Sequence, residues 1–182
     1  MGTLFEKLND EHVSFIEKQH LYFVGTAAPE GLVNISPKGM DSLRVQNHSS
    51  VCWLNLTGSG NESAAHIKLL PRMTVMFCSF DAQPLILRLY GKASVTHAYD
   101  ERWEQLTALF PSYTGARQVF ELSIESVQTS CGFAVPFYEL KGERPVLRQW
   151  AEKKGRDGVE QYQKDRNAVS LDGFDTGIVN NG

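Results

Sequence analysis

The sequence predicts a mainly β domain, a barrel of mostly antiparallel strands with helices at its periphery. Three observations lead there. Apolar, β-prone segments follow one another from residue 21 to residue 140, and most are joined by short turn-rich connections that suit hairpins. The two longest segments, residues 85–96 and 119–127, alternate apolar and polar residues with period two. Helical patterns are inserted between some strands only, which fits a barrel better than a doubly wound parallel sheet.

The elements follow in order. Asn9 or Asp10 caps a short helix with Val13, Ile16 and Phe15 inward and Glu11 in its first turn. Residues 21–24 form a strand, 25–31 turn it, and 32–36 return as a hairpin partner. In the return strand Val33 and Ile35 alternate with Asn34 and Ser36. Pro37 cannot donate to a ladder, so Pro37, Lys38 and Gly39 mark an edge or a strand end. Arg44 and Val45 extend the sheet briefly, and 51–56 is the next strand. A helix over 62–70 ends at Pro71. Residues 73–80 are apolar on both faces, as in a central strand.

Residues 81–84 turn into the long strand 85–96. Leu85, Leu87, Leu89, Ala93 and Val95 share one face of it; Arg88, Tyr90 and Lys92 share the other. Gly91 in mid-strand predicts a bulge or a close backbone approach. Residues 100–110 form an amphipathic helix with Trp103, Leu106 and Phe110 on one stripe. The strand 119–127 and an extended segment 132–140 complete the barrel domain, residues 1–140. Residues 141–182 form a C-terminal extension: helices over 145–154 and 159–166, split at Gly155, then a tail that packs on its own domain or on a partner subunit.

Composition narrows the function classes. The chain has 182 residues with a net charge of −3 and no long basic cluster, which argues against nucleic acid as the main partner. The first ten residues lack an apolar core of the signal-peptide kind, and no apolar run approaches the ~18 residues of a membrane span. Cys52, Cys78 and Cys131 are far apart and read as small core residues of a reducing compartment, so a cytoplasmic protein is expected. His12, His20, His48 and His97 show no metal-ligand spacing, and no metal is expected.

The chemistry-bearing stretch is the strand 51–56, the turn Thr57, Gly58, Ser59, Gly60, Asn61, and the helix that starts at Glu62. A strand–turn–helix junction presents unpaired amides and the positive end of a helix dipole. Thr57, Ser59 and Ser63 add hydroxyl donors. The turn is either a phosphate cradle or an ordinary loop, since Gly, Ser and Asn are also plain turn residues.

Two motifs then match a known family. VNISPKG at 33–39, followed after a short spacer by CWLNLTGSGN at 52–61, resembles the pyridoxamine 5'-phosphate oxidase-like FMN-binding proteins. LRLYGKA at 87–93 is similar to a later strand of that family, and SCGFAVP at 130–136 with SLDG at 170–173 resembles a particular branch. The resemblance covers roughly residues 10–130. It implies an FMN-binding split β-barrel that forms a homodimer, with FMN at each subunit interface. It implies that Ser36, Pro37 and Lys38 line the isoalloxazine edge, and that residues from Asn55 to Asn61 run past the ribityl chain to the phosphate. Ser63, His66 and Arg88 are further candidate contacts, Arg88 as a bidentate phosphate partner.

Two departures from the family pattern matter. The oxidase proper carries an Arg-Lys pair for the phosphate where this chain has Gly58, Ser59 and Gly60. Its C-terminal Arg/His-rich substrate motif has no counterpart in the tail, so vitamin B6 synthesis is not expected. The expected activity is FMN-dependent oxidation or reduction of an unknown small molecule. A non-catalytic flavin sensor or storage protein, a haem-binding relative using His66 or a tail residue, and a barrel without cofactor are the alternatives.

Overall fold

The computed structural model describes residues 2–180. Eight strands and four helices occur in the order β1 (Thr3–Phe5), α1 (Asp10–Glu17), β2 (Tyr22–Thr26), β3 (Asn34–Lys38), β4 (Leu43–Asn47), β5 (Ser50–Leu56), α2 (Glu62–Leu69), β6 (Arg72–Cys78), β7 (Ile86–His97), α3 (Trp103–Thr107), β8 (Ala116–Ser130) and α4 (Val146–Arg166). All strand pairs are antiparallel. Among the described residues no helix is long and apolar enough to cross a membrane.

The strand order is β3-β2-β6-β7-β8-β5-β4, with β1 added on β8. The edge strands β3 and β4 are also consecutive in the chain, and only residues 39–42 separate them. Laid flat, six inter-strand gaps of about 4.8 Å would hold those edges about 29 Å apart. Five Cα steps reach at most about 18 Å. The sheet therefore has to curl until its edges meet, and that curl makes the barrel. The corner is tight: Met40 and Asp41 both adopt positive φ, 61° and 52°.

The barrel interior is filled from every strand except β3. Trp53 and Phe120 stack at 4.4 Å between ring centres, both fully buried, among Val24, Val51, Val75, Phe77, Leu87, Leu89 and Leu122. A second cluster lies outside β5, where Leu106 and Phe110 cover Cys52, Leu54 and Val119. Gly91 marks a register shift between β7 and β8; a Cβ there would lie 1.9 Å from the Ser123 carbonyl oxygen.

Several elements depart from expectation. Residues 132–140 are irregular, with Phe133, Phe137 and Tyr138 exposed. The two C-terminal helices abut at Gly155, whose φ of 68° and ψ of 171° break the helical path, and Trp150 packs edge-on against Tyr162 across the kink. Cys52 and Cys78 are buried, but Cys131 is exposed, because β8 ends at Ser130. Pro37 lies within β3 rather than after it; the strand tolerates it because β3 pairs on one side only. Most consequential, β3 is turned the other way from an ordinary half-buried strand. Val33 before it and Ile35 within it are 72% and 69% exposed, and the alternating Asn34, Ser36 and Lys38 face inward.

Candidate functional site

A polar cleft of about 480 Å³ opens where β3, β5 and the start of β8 meet. Its walls come from β3 (Asn34, Ser36, Lys38), from Asn55 and Leu56 at the end of β5, and from the turn Gly58, Ser59, Gly60 and Asn61. Glu62 and Ser63 of α2, Arg117 of β8, Arg166, and the tail residues Val169, Ser170 and Leu171 complete it. The β3 inversion explains the polarity: a strand whose alternate residues are polar can face inward only where something other than apolar core is to be met.

The turn is built to receive an acceptor. The amides of Gly58, Ser59, Gly60 and Asn61 donate to no acceptor among the described residues. Asn61 caps α2 by position without a side-chain cap bond. Its Nδ2 donates instead to the Asn167 carbonyl (3.2 Å), and its buried Oδ1 has no partner. Asn34 Nδ2 donates to both Ser36 Oγ and Ser63 Oγ, 3.1 Å each, which leaves the Ser63 hydroxyl proton available to a ligand.

Arg117 is the buried cation at the turn end of the cleft. It is 3% exposed, and its Nη1 donates to the Gly60 carbonyl (2.9 Å) and to Asn167 Oδ1 (2.7 Å). Its Nε has no partner, and no carboxylate pairs with it among the described residues. Burial lowers its pKa to about 10, so it stays charged at neutral pH. Glu62, the carboxylate at the cleft wall, is engaged by the tail through the Leu171 amide (3.0 Å).

Lys38 sits at the other end. Its Nζ donates to Asn55 Oδ1 (3.2 Å) and lies 5.1 Å from the Trp53 ring centre. Burial and the nearby Arg117 charge lower its pKa to about 8. A lysine so placed is charged at neutral pH but loses its proton more readily than a solvated one.

Of the residues singled out from the sequence, the cleft brings together Ser36, Lys38, Asn55, Gly58, Ser59, Gly60, Asn61 and Ser63. Pro37 is exposed on the outer face of β3. Thr57 is fully buried below the turn, donating to the Gly115 carbonyl and accepting from Gln163. His66 is 1% exposed, with Nδ1 against Thr26 Oγ1 (3.1 Å); it is sealed in the core beneath Ser63 and does not line the cleft. Arg88 donates to Ser130 Oγ (3.0 Å), nine residues along β7 from the cleft end of that strand, a separation of about 30 Å. The cation expected from Arg88 is supplied within one chain by Arg117.

The tail is part of the same wall. Asn167 is fully buried and its Nδ2 donates to the Gly58 carbonyl (3.1 Å). Asp172 Oδ2 accepts from the Leu32 amide (2.9 Å), Asp175 pairs with Lys68, and Thr176 Oγ1 donates to the Asn167 carbonyl (2.6 Å). Sequence reasoning missed Arg117, Asn167 and Ser170. For Arg117 the local signal is a basic residue entering a strand, which says nothing about what lies opposite.

Comparison with known proteins places the chain among relatives. The family model for pyridoxamine 5'-phosphate oxidase matches residues 8–131. A pyridoxamine 5'-phosphate oxidase family protein of Aspergillus flavus, ustO, is 38% identical over 192 residues, covering 96% of this chain and 77% of that protein. Among solved structures, a putative pyridoxamine 5'-phosphate oxidase from Lactobacillus delbrueckii superposes with a TM-score of 0.56 at 24% identity, covering 68% of this chain and 94% of that one. HupZ of Group A Streptococcus does so with a TM-score of 0.53 at 20% identity, covering 67% and 98%. The fold they share is the split barrel.

Proposed function

The chain belongs to the pyridoxamine 5'-phosphate oxidase family, and from that premise we propose that it is an FMN-dependent oxidoreductase acting in the cytoplasm on a small organic molecule. The observation that carries the reading is Arg117, a buried guanidinium with no carboxylate partner and a free Nε, beside four turn amides that donate to no acceptor among the described residues. Arg117 Nε is a buried donor without an acceptor, which is rare in a finished fold, and it lies beside a turn that lines the cleft. A phosphate monoester is the acceptor this chemistry suits, and Ser63 and Ser59 add hydroxyls.

The rest of the cleft suits the remainder of FMN. Asn61 Oδ1, buried and unpaired, is an acceptor for a ribityl hydroxyl. Lys38 is a donor for the ring's N1/O2 edge, where a cation favours the reduced form. Ser36 and Asn34 line the same edge. Bound FMN would supply hydride and single-electron transfer; the chain supplies position, charge and exclusion of water. The cleft contains no carboxylate–histidine pair for acid–base work, and Lys38, with its lowered pKa, is the group suited to exchange a proton there. Among the described residues no histidine lines the cleft, and His66 is sealed in the core, so the haem alternative has no axial histidine of this chain to draw on there.

The working unit in this reading is a homodimer. The apolar lining within one chain is limited to Leu56, Val169 and Leu171, whereas Val33 and Ile35 are exposed along the adjacent edge strand. A second copy on that strand would cover both and close the ring slot. The test is the visible spectrum of the purified protein with mass identification of the released chromophore, followed by turnover with a reduced nicotinamide. FMN at about one per chain with turnover meets the proposal. A colourless protein that also fails to take up added FMN overturns it, and a yellow protein without turnover on any donor leaves a flavin-binding module.

A further inference from the structure

We propose that His97 is a positioning residue for Lys38, acting through a relay of two buried amides, and that a proton on His97 breaks the grip on Lys38. The relay belongs to the protein alone. Only its effect on flavin rests on the function proposed above.

The relay is a row across the sheet. Asn55 of β5 pairs in register with Gln118 of β8, which pairs with His97 of β7. Their exposures are 2%, 0% and 6%, so none can exchange its partner for water. Lys38 reaches the row from β3 across the barrel seam. The contacts run Lys38 Nζ to Asn55 Oδ1 (3.2 Å), Asn55 Nδ2 to Gln118 Oε1 (3.1 Å) and Gln118 Nε2 to His97 Nδ1 (3.4 Å).

The sense of each bond follows from one end. An ammonium has donors only, so Asn55 must turn its carbonyl to Lys38. Asn55 then offers its amide to Gln118, which accepts on its carbonyl and offers its own amide to His97. Nδ1 of His97 must accept, so a neutral imidazole carries its proton on Nε2. An imidazolium reverses this. Its Nδ1–H can no longer accept from Gln118, and if Gln118 and Asn55 turn over to suit it, Asn55 presents an N–H to the ammonium. Charged Lys38 and charged His97 therefore exclude each other through the row, and like-charge repulsion adds to the effect.

The surroundings of His97 set when this happens. Asp100 Oδ2 accepts from the His97 backbone amide (2.7 Å), and Tyr99 stacks on the ring at 5.2 Å. Lys68 of α2 and Asp175 of the tail also face it, paired with each other, and Arg117 is the charged neighbour of Lys38. Burial holds the His97 pKa below the ordinary value against the pull of Asp100 and Asp175, so the grip is intact at neutral pH and is lost in acid.

The experiment is made on the full chain and has a flavin-free and a flavin-bound arm. Without flavin, long-range proton–nitrogen NMR should show neutral His97 protonated on Nε2. The Lys38 side-chain resonance should carry a second inflection at the His97 titration in the wild type and none in His97→Asn, whose Oδ1 can take the place of Nδ1 without titrating. A His97 proton on Nδ1, or a Lys38 titration unchanged by His97→Asn, overturns the relay. With flavin, the FMN affinity of the wild type should fall about tenfold as the pH drops from neutral through the His97 titration read in the first arm, the scale of one charge-assisted hydrogen bond, and that of His97→Asn less than twofold. Equal falls in the two proteins overturn the link to the cofactor. A protein that takes up no FMN at any pH refutes the flavin reading and the link with it, while the first arm still decides the relay.

Discussion

Arg117 and Asn167 lie 50 residues apart in the chain and are joined by a buried hydrogen bond of 2.7 Å. That bond fastens the C-terminal tail to the glycine turn, because Nη1 of the same arginine also holds the Gly60 carbonyl. Anion site, turn and tail are thus one unit. Arg117→Ala should weaken FMN binding by about 100-fold, as expected when a buried charge-assisted contact is removed. Riboflavin, which lacks the phosphate, should lose little. Arg117→Lys keeps the charge but not the planar fork, so it should recover only part of the loss. Fluorescence titration with both ligands checks this; equal losses for FMN and riboflavin would place the phosphate elsewhere.

Asn167→Ala tests the tail. The side chain bridges Gly58 and Arg117 from a fully buried position, so its loss leaves Arg117 and the Gly58 carbonyl each short of a partner. The expected cost is about 1–3 kcal/mol in denaturant unfolding. Hydrogen exchange at residues 58–61 and 168–176 should quicken together. Exchange confined to the tail would show that the turn holds its shape unaided.

Gly91→Ala tests the barrel rather than the site. A Cβ would stand 1.9 Å from backbone, the Ser123 carbonyl oxygen, which no rotamer change can relieve. The register shift that Gly91 permits would have to be abandoned or the strands parted. A loss of about 3 kcal/mol or more, or failure to fold, is expected by thermal unfolding.

Gly91 was also the feature most legible in the sequence, because a lone glycine in a strongly alternating strand has a local meaning. Strands β2, β3 and β5 to β8, α1 with its Asn9 cap, and the turn 57–61 were legible for the same reason, whereas β1, three residues long, is too short to show a pattern. The orientation of β3 was not. Its alternation of Val33 and Ile35 with Asn34 and Ser36 shows that one face is apolar, but only the barrel seam decides which face turns inward. Arg117 was hidden because the β5–β8 pairing that carries it to Gly60 is long-range. Arg88 is an arginine on a polar strand face, yet a 12-residue strand has two ends, and Arg88 lies toward the one remote from the cleft. Asn167 opens a Gly/Asp/Asn-rich tail whose apolar residues show that it packs, but only its tertiary partners single out Asn167.

The exposed apolar face along β3 bears on assembly. If a second copy covers Val33 and Ile35, Ile35→Glu should shift the protein from dimer to monomer in sedimentation and lower FMN affinity in parallel, since the ring slot loses a wall. Monomeric protein with unchanged FMN affinity would show that one chain holds the flavin alone. A dimer untouched by the substitution would place the interface on another surface.

The lowered pKa of Lys38 has a signature in stability. An unfolded lysine titrates near 10.4, and the folded one at about 8. Between those values the unfolded chain binds a proton at this residue that the folded chain does not. Stability from this residue therefore rises with pH across that window and is level below about pH 8, where both states are protonated. In Lys38→Met the term is absent. The stability of the wild type relative to Lys38→Met should increase between pH 8 and pH 10 in ligand-free protein, read as the difference between paired urea midpoints. Saturating FMN should suppress the rise if the flavin contact keeps the ammonium protonated in the folded state. A difference that stays level with pH in ligand-free protein would mean that Lys38 titrates as a solvated side chain, and its role as a buried donor to the flavin ring would fall with it.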